Sequence, residues 1–409
     1  MRELLRHPVV PGLLVSALGD GMSLVAVAWL AVQIAPAGQA GAWTGLAVAA
    51  YALPASLGAA LLSRFMRGLR AARLVAVDAT LRAVALGAIA ILAIAGSLTP
   101  FRYVLLLAVS SLLHAWGSAG AYTLVAELLP DEQRVAGNAL LSTFTQASII
   151  VGPAIAGTVT GLAGPGWVIG ADAASFAVLA VAAWSVSARR AHQAPPPRES
   201  TAGAWQTLRD RPRLLGLLLV TMVFFFLYGP VEVALPVHVA EDLHGSAGLL
   251  GLYWTVFGVG ATIGALGAGL LARFPPAPVV AAIIVGWGAA LLPLGLTDAI
   301  WPGLLGLAAG GLIYGPFTAI STGLFQRGAP PEALSRVLAA RSALTIPATS
   351  LGTLLGGPLV ALLGGQLTLL LSGLVTVLLG VGVAVAVRGR SVARSVVATD
   401  VERAHRPRS

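Results

Sequence analysis

The 409-residue sequence has no cysteine and no lysine, and only 10% of it is charged, against roughly 25% in soluble domains. Lack of cysteine excludes a disulfide framework, a thiolate metal site, an iron–sulfur cluster and a cysteine nucleophile. Lack of lysine removes the Gly-Lys-Ser/Thr of a Walker A loop, and with it ATP as the driving force. The six histidines are scattered and His-Glu-x-x-His does not occur, so no zinc motif is present. No cofactor is expected, and a catalytic role loses most of its chemistry. What fills the chain instead is 57% hydrophobic residues, 49 glycines and 25 prolines, with a mean hydropathy of +0.88. A soluble globular protein cannot have this composition. The apolar excess runs along the whole length, and each helical crossing needs about 20 mostly apolar residues, so a polytopic helical membrane protein is expected.

Nearly uncharged runs separated by Gly, Pro or Arg clusters predict twelve transmembrane helices. The first six cover Val9–Gln33, Gly41–Leu62, Leu74–Gly96, Tyr103–Leu128, Val135–Leu162 and Gly166–Ser187. The second six cover Leu214–Ala240, Gly248–Leu271, Pro278–Leu296, Trp301–Phe325, Ala333–Leu363 and Gln366–Val387. The first apolar run is too long for a signal-peptide core of about 7 to 15 residues and is read as a span. The expected organisation is a six-helix bundle over 1–187, a cytoplasmic linker over 188–213, a second bundle over 214–387 and an Arg-rich cytoplasmic tail over 388–409. The linker is too short for a domain of its own, but Trp205 and Leu208 could lie on the bilayer surface as a short amphipathic helix.

All 25 basic residues are arginine, and all but Arg82, Arg102 and Arg341 fall in segments that an alternating topology places in the cytoplasm. By the positive-inside rule both termini face the cytoplasm, in a multi-pass protein of the cell membrane. These arginines flank spans and are not interleaved with aromatics on one surface, so the pI near 11 does not indicate nucleic-acid binding.

The two halves repeat one another. Leu61-Leu62-Ser63-Arg64-Phe65 after the second span returns as Leu270-Leu271-Ala272-Arg273-Phe274 after the eighth. Pro130-Asp131-Glu132-Gln133-Arg134-Val135 before the fifth has a looser counterpart in Pro331 to Val337 before the eleventh, and Gly152-Pro153 and Gly357-Pro358 follow at similar depths. Two six-span halves in register are the signature of parallel transporter repeats with a site between them.

On these features the sequence resembles the major facilitator superfamily. Gly19-Asp20-Gly21-Met22-Ser23, Leu129-Pro130-Asp131-Glu132 and Gly137-Asn138-Ala139-Leu140 are similar to its branch of macrolide-efflux and enterobactin-exporter proteins. Gly152-Pro153-Ala154-Ile155-Ala156-Gly157 resembles the fifth-span signature of drug/proton antiporters, with Ala156 in place of one glycine. In that family the bend seals the contact between halves, which would give Gly152, Pro153 and Gly157 a gating role; ordinary small-residue packing is the other reading. Two departures stand against a full transfer. Ser63 replaces the acid of the second-to-third loop before Arg64, and Leu113-His114 stands where many antiporters carry a fourth-span arginine.

A carboxylate at the bilayer centre costs roughly 2.5 to 3.5 kcal/mol on insertion scales, so intramembrane ionisable groups deserve a reason. Asp20 lies near midplane between two glycines that leave it open to approach. It is expected to be proton-linked or substrate-facing, or else a hydrogen-bonding group at a helix interface. Glu232, after Tyr228-Gly229-Pro230, is the second proton or cation site, or an acid already in interfacial water. His114 has a pKa range suited to proton exchange but also serves as a helix-to-helix donor. Asp78 and Arg82, four apart on one face near the cytoplasmic side, are expected to pair, structurally or in an inner latch with Arg64, Arg67 and Glu127. Arg341 is expected as a fixed anchor or a conformation-dependent ion pair beside the second span. Asp172 is expected near the outer surface and Asp298 in an outer loop, both solvated. The resemblance implies a cavity lined by the first, fourth, seventh and tenth spans with contributions from the fifth and eighth, and Trp29, Gln146, Tyr228, Trp254 and Tyr314 are its polar-tipped wall candidates, or else interface-belt or packing residues.

The expected function is a secondary exporter that exchanges protons for hydrophobic or amphipathic small molecules, working within membrane lipid as a single chain. A lipid or lysolipid flippase and a siderophore exporter share the fold. A non-transporting receptor or scaffold would need a partner domain that the sequence lacks.

Overall fold

The computed structural model describes residues 9–66, 68–129, 131–189, 204–271 and 273–404. The arginines at positions 2, 6, 67, 190 and 198 and the linker prolines at 195–197 lie outside the described residues. The described residues form helices and no strands. The first half contains α1 (Val9–Ile34), α2 (Ala40–Leu61), α3 (Ala71–Ile94), α4 (Pro100–Ser111 and His114–Leu128), α5 (Asp131–Ala163) and α6 (Pro165–Arg189). The second contains α7 (Pro212–Val237), α8 (Ala247–Leu266), α9 (Pro276–Leu296) and α10 (Ile300–Gly328). A last helical stretch, Pro331–Ala404, is divided at Gly364, whose φ of 79° and ψ of 170° are non-helical. Its segments, 331–363 and 365–404, are α11 and α12. Glycine suits this corner because it adopts positive φ without a side-chain clash. The expected twelve spans are therefore present, and the protein is a multi-pass membrane protein.

The packing repeats between halves as the sequence motifs do. In the first, α1 packs on α5, α3 on α6 and α2 on α4; in the second, α7 packs on α11, α9 on α12 and α8 on α10. Large apolar side chains such as Ile91 and Val181, 70% and 72% exposed, point outward as a lipid-facing surface requires. The helix interfaces are made of small residues. A Cβ on Gly288 would run into the backbone of Gly373 on α12, and one on Gly264 into the backbone of Leu312 on α10.

The halves meet along two seams, α5 against α8 and α2 against α11. Both include glycine at the ends of the helices away from the linker. Gly157 faces Gly248 and Gly251, Gly251 also faces the Pro153 carbonyl, and Gly45 faces Gly357. At that same face α7 widens into a π turn over His238–Asp242, where Asp242 Oδ2 accepts from the Gln366 backbone N–H at 3.0 Å and lies 2.8 Å from His238 Nδ1. Asp298, expected to be solvated, accepts from Gln366 Nε2 at 2.8 Å and so ties the α9–α10 turn to the start of α12.

At the linker face the short helix Ala204–Arg209 does not present both its apolar residues to one surface. Trp205 is exposed under Arg209, whose guanidinium lies 5.1 Å from the ring centre, while Leu208 is buried with Leu214, Leu218, Phe325 and Val337. This corrects the pairing of Trp205 with Leu208 on a bilayer surface: the apolar cluster of α7, α10 and α11 takes Leu208 in, while Trp205 stays outside it.

Candidate functional site

Two groups of polar and aromatic side chains occupy the interior, one in each half. The first is centred on Arg82. Both Asp20 and Arg82 lie eleven residues from the starts of their helices, α1 and α3, which run in the same direction. At 1.5 Å per residue both are about 16 Å deep, level with each other near midplane. Arg82 is 2% exposed and its Nη2 donates to Asp20 Oδ1 at 2.5 Å and to the Tyr51 hydroxyl of α2 at 2.6 Å. Tyr51 in turn donates to Asp20 Oδ1 at 3.0 Å. The guanidinium sits 4.2 Å from the centre of the Phe176 ring on α6, a cation–π contact.

Arg82 Nη1 lies 2.6 Å from His114 Nδ1 at the start of the second segment of α4. A guanidinium has donors only, so Nδ1 must accept and the ring proton belongs on Nε2, which makes His114 neutral here. The position of His114 follows from the break at Leu112 and Leu113. The Leu112 carbonyl faces Gly58 of α2, and Ser111 Oγ donates 2.9 Å to the Ala50 carbonyl.

Arg82 does not pair with Asp78, as the four-residue spacing predicts. The Asp78 carboxylate packs against Gly117 on α4, where a Cβ would overlap it, and its Oδ1 has no hydrogen-bond partner among the described residues. The Arg82 head turns instead to the carboxylate at its own depth on the neighbouring helix. Arg82 thus belongs to the centre of the bundle and not to a cytoplasmic latch. Glu127 is exposed near the end of α4.

Asp172 is a second correction. It is 0% exposed, enclosed between α6 and α1. Its Oδ2 accepts from Ser23 Oγ at 2.5 Å; Ser175 Oγ donates to the Asp172 backbone carbonyl at 2.7 Å and is 3.4 Å from Oδ1. Gly19 explains how the carboxylate fits, since a Cβ there would collide with Asp172 Oδ1. Gly21 similarly makes room for the Ser148 backbone carbonyl of α5. The two glycines beside Asp20 therefore accommodate α6 and α5 as neighbours. Helix depth was the usable signal for Asp172: seven residues into α6 is about 10 Å, well below the membrane surface. Tyr51 carried no signal, being one aromatic in an apolar run.

The second group is aromatic and carries one acid. Tyr228 and Tyr314 stack with centroids 5.9 Å apart, and Trp287 lies 5.8 and 5.6 Å from them. Phe224, Phe225, Phe257 and Phe317 complete the cluster, with Phe224 and Phe317 only 4.5 Å apart. Beside it Glu232 accepts from Thr353 Oγ1 of α11 at 2.9 Å, where Gly229 and Gly352 bring the two backbones together. Tyr228, Tyr314 and Glu232 are partly exposed.

The other wall residues are dispersed. Trp29 and Trp254 are 7% and 5% exposed in the apolar core, Trp254 edge-on to Phe257 at 5.9 Å, and Gln146 is exposed on α5. Gly152 meets the backbone of Gly21 and Met22, so Gly152, Pro153 and Gly157 carry α5 between α1 and α8. Arg341 donates to Thr322 Oγ1 at 2.9 Å and Ser321 Oγ at 3.1 Å, with its guanidinium 5.5 Å from the Phe325 ring centre, and so fastens α11 to α10.

Two pseudo-symmetric six-helix bundles in a membrane, with polar and aromatic groups held in their interiors, define a transporter architecture. The chain belongs to the Major Facilitator Superfamily, whose sequence profile matches residues 9–233 and 217–409. It is 28% identical over 363 residues to the multidrug efflux pump Tap of Mycobacterium tuberculosis (strain ATCC 25618 / H37Rv), covering 85% of this chain and 84% of that one. An uncharacterized MFS-type transporter, y4rN of Sinorhizobium fredii (strain NBRC 101917 / NGR234), is 27% identical over 256 residues, covering 61% of this chain and 63%, less than two thirds, of that protein. Among solved structures the fold is similar to the nucleoside transporter NupG, with a TM-score of 0.74 at 14% identity, covering 93% of this chain and 98% of that chain. A D-xylose-proton symporter gives a TM-score of 0.65 at 16% identity, covering 92% and 96%.

Proposed function

We propose that this transporter is an exporter of the cell membrane that exchanges protons for hydrophobic or amphipathic small molecules by alternating access. The observation that carries the reading is the Asp20–Arg82 ion pair, buried on the arginine side and 36% exposed on the aspartate side chain. An acid so placed can take a proton from a wet cavity while its partner holds four helices of one half together through Asp20, Tyr51 and His114. Protonating Asp20 removes the charge that Arg82 neutralises. That changes the relative stability of two orientations of the bundles, as coupling requires, because a ligand with equal affinity for both shifts nothing. The Tyr228–Tyr314 cluster offers apolar faces with polar tips to an organic substrate, and Glu232 adds a second acid beside it. Similarity to an efflux pump supports outward transport. With both termini cytoplasmic, the glycine seams close the halves toward the outside.

The test uses proteoliposomes with an imposed pH gradient and a panel of fluorescent dyes and macrolides. Asp20→Asn should support counterflow of a transported compound and lose uphill transport. Unchanged uphill transport in Asp20→Asn would refute the coupling role.

A further inference from the structure

The coupling reading uses one carboxylate, but Arg82 has three within electrostatic reach, Asp20, Asp78 and Asp172. Asp172 lies on α6 one turn before Phe176, the ring over which the Arg82 guanidinium is stacked. Its carboxylate also occupies the space beside Gly19, the residue next to Asp20. Every other ionisable group facing this centre can be named. Asp20 comes from α1, Tyr51 from α2, Arg82 and Asp78 from α3, and His114 from α4. The ionisable residues of α5, Asp131, Glu132 and Arg134, all fall in its first turn. One cation therefore serves Asp20, Asp78 and Asp172, with His114 neutral as Arg82's acceptor.

The two acids differ in surroundings. Asp20 receives the guanidinium directly and is partly exposed. Asp172 is 0% exposed and receives a serine hydroxyl in place of a cation. An isolated ionised carboxylate in such a place is costly and takes up a proton instead.

We propose that Asp172 is a second proton-carrying residue of the coupling centre: it holds a proton while Asp20 is the counter-ion of Arg82, and gives that proton up when Asp20 is neutralised. The proposal rests on the proton-coupled reading above and extends it to a residue on a different helix. Charge is balanced throughout. With Asp78, buried and with its Oδ1 unpartnered, neutral in both states, Arg82⁺, Asp20⁻ and neutral Asp172 sum to zero, and so do Arg82⁺, neutral Asp20 and Asp172⁻. A proton arriving on an Asp20 oxygen is matched by one leaving an Asp172 oxygen, so the guanidinium never stands alone in a low-dielectric interior. A purely structural Asp172, held by Ser23 and packed on Gly19, would have no such link to Asp20.

Infrared spectroscopy of the purified full chain in lipid nanodiscs at neutral pH distinguishes these cases through the carbonyl stretch of neutral carboxyl groups. Wild type minus Asp172→Asn should show the loss of one carboxyl's intensity. Asp20→Asn should lose the same intensity, because Asp172 then ionises to balance Arg82, and Asp20→Asn/Arg82→Gln should regain it. A spectrum unchanged by Asp172→Asn overturns the proposal. So does an Asp172 band that persists in Asp20→Asn. Should Asp172→Asn not fold, Ser23→Ala serves instead: it should shift the frequency of the band in wild-type amount, and no shift counts against a neutral Asp172. Uphill transport by Asp20→Asn separately decides the coupling reading, so failure of one is distinguishable from failure of the other.

Discussion

A double-mutant cycle on Asp20 and Arg82 gives the interior ion pair a measurable energy. A hydrogen bond to a charged group contributes about 1.5 to 3 kcal/mol, and burial of Arg82 favours the upper part of that range. The 36% exposure of the Asp20 side chain lets water screen the attraction and pulls the value down. The expected coupling between Asp20→Asn and Arg82→Gln is thus about 2 kcal/mol, or about 30-fold in the unfolding equilibrium. It can be read by tryptophan fluorescence during unfolding of purified protein in mixed detergent–SDS micelles. The control cycle is Asp78→Asn with Arg82→Gln, for which no direct bond exists and a coupling smaller than that of Asp20 is expected. A larger coupling for Asp78 than for Asp20 would refute the assignment of partners and restore the local i,i+4 pair.

Two other substitutions probe the scaffold. Gly157→Leu places a side chain against Gly248 and Gly251 and should abolish transport at undiminished membrane insertion, whereas Gly161→Leu, whose Cβ meets nothing within 4 Å, should leave flux intact; equal loss in both would remove the seam from the mechanism. Leu208→Ala should cost about 2 to 5 kcal/mol, and Trp205→Ala no more than about 0.5, in the same unfolding assay; the reverse order would place the linker helix the other way round.

Much of the fold is legible in the sequence because lipid imposes one rule on every span, and that rule is written locally as length and hydropathy. Even the division between α11 and α12 is marked, by Gly364 and Gly365 between apolar runs. The break in α4 is different: Ser111-Leu112-Leu113-His114 contains no glycine or proline, and contacts to Ala50 and Gly58 on α2 accompany the break. Side-chain partners were harder to read for the same reason. Spacing brings Asp78 and Arg82 to one face, but it cannot say that Gly117 has a place for the carboxylate, or that Asp20 waits at equal depth on another helix. Tyr228 and Tyr314 lie 86 positions apart yet stack, because α7 and α10 bring them to one cluster. Depth along α6 places Asp172 inside the membrane, but nothing in the sequence shows Ser23 and Gly19 across the interface that encloses it.

The glycine seams have an energetic consequence of their own. Where Gly157 rests on Gly251 and Gly45 on Gly357, two backbones separate without dragging large apolar side chains out of a packed socket. On the alternating-access reading proposed above, such a joint would act as a low-friction bearing, with little packing enthalpy lost as it parts. Two resting positions of nearly equal free energy are the condition under which something as small as one hydrogen ion can decide between them.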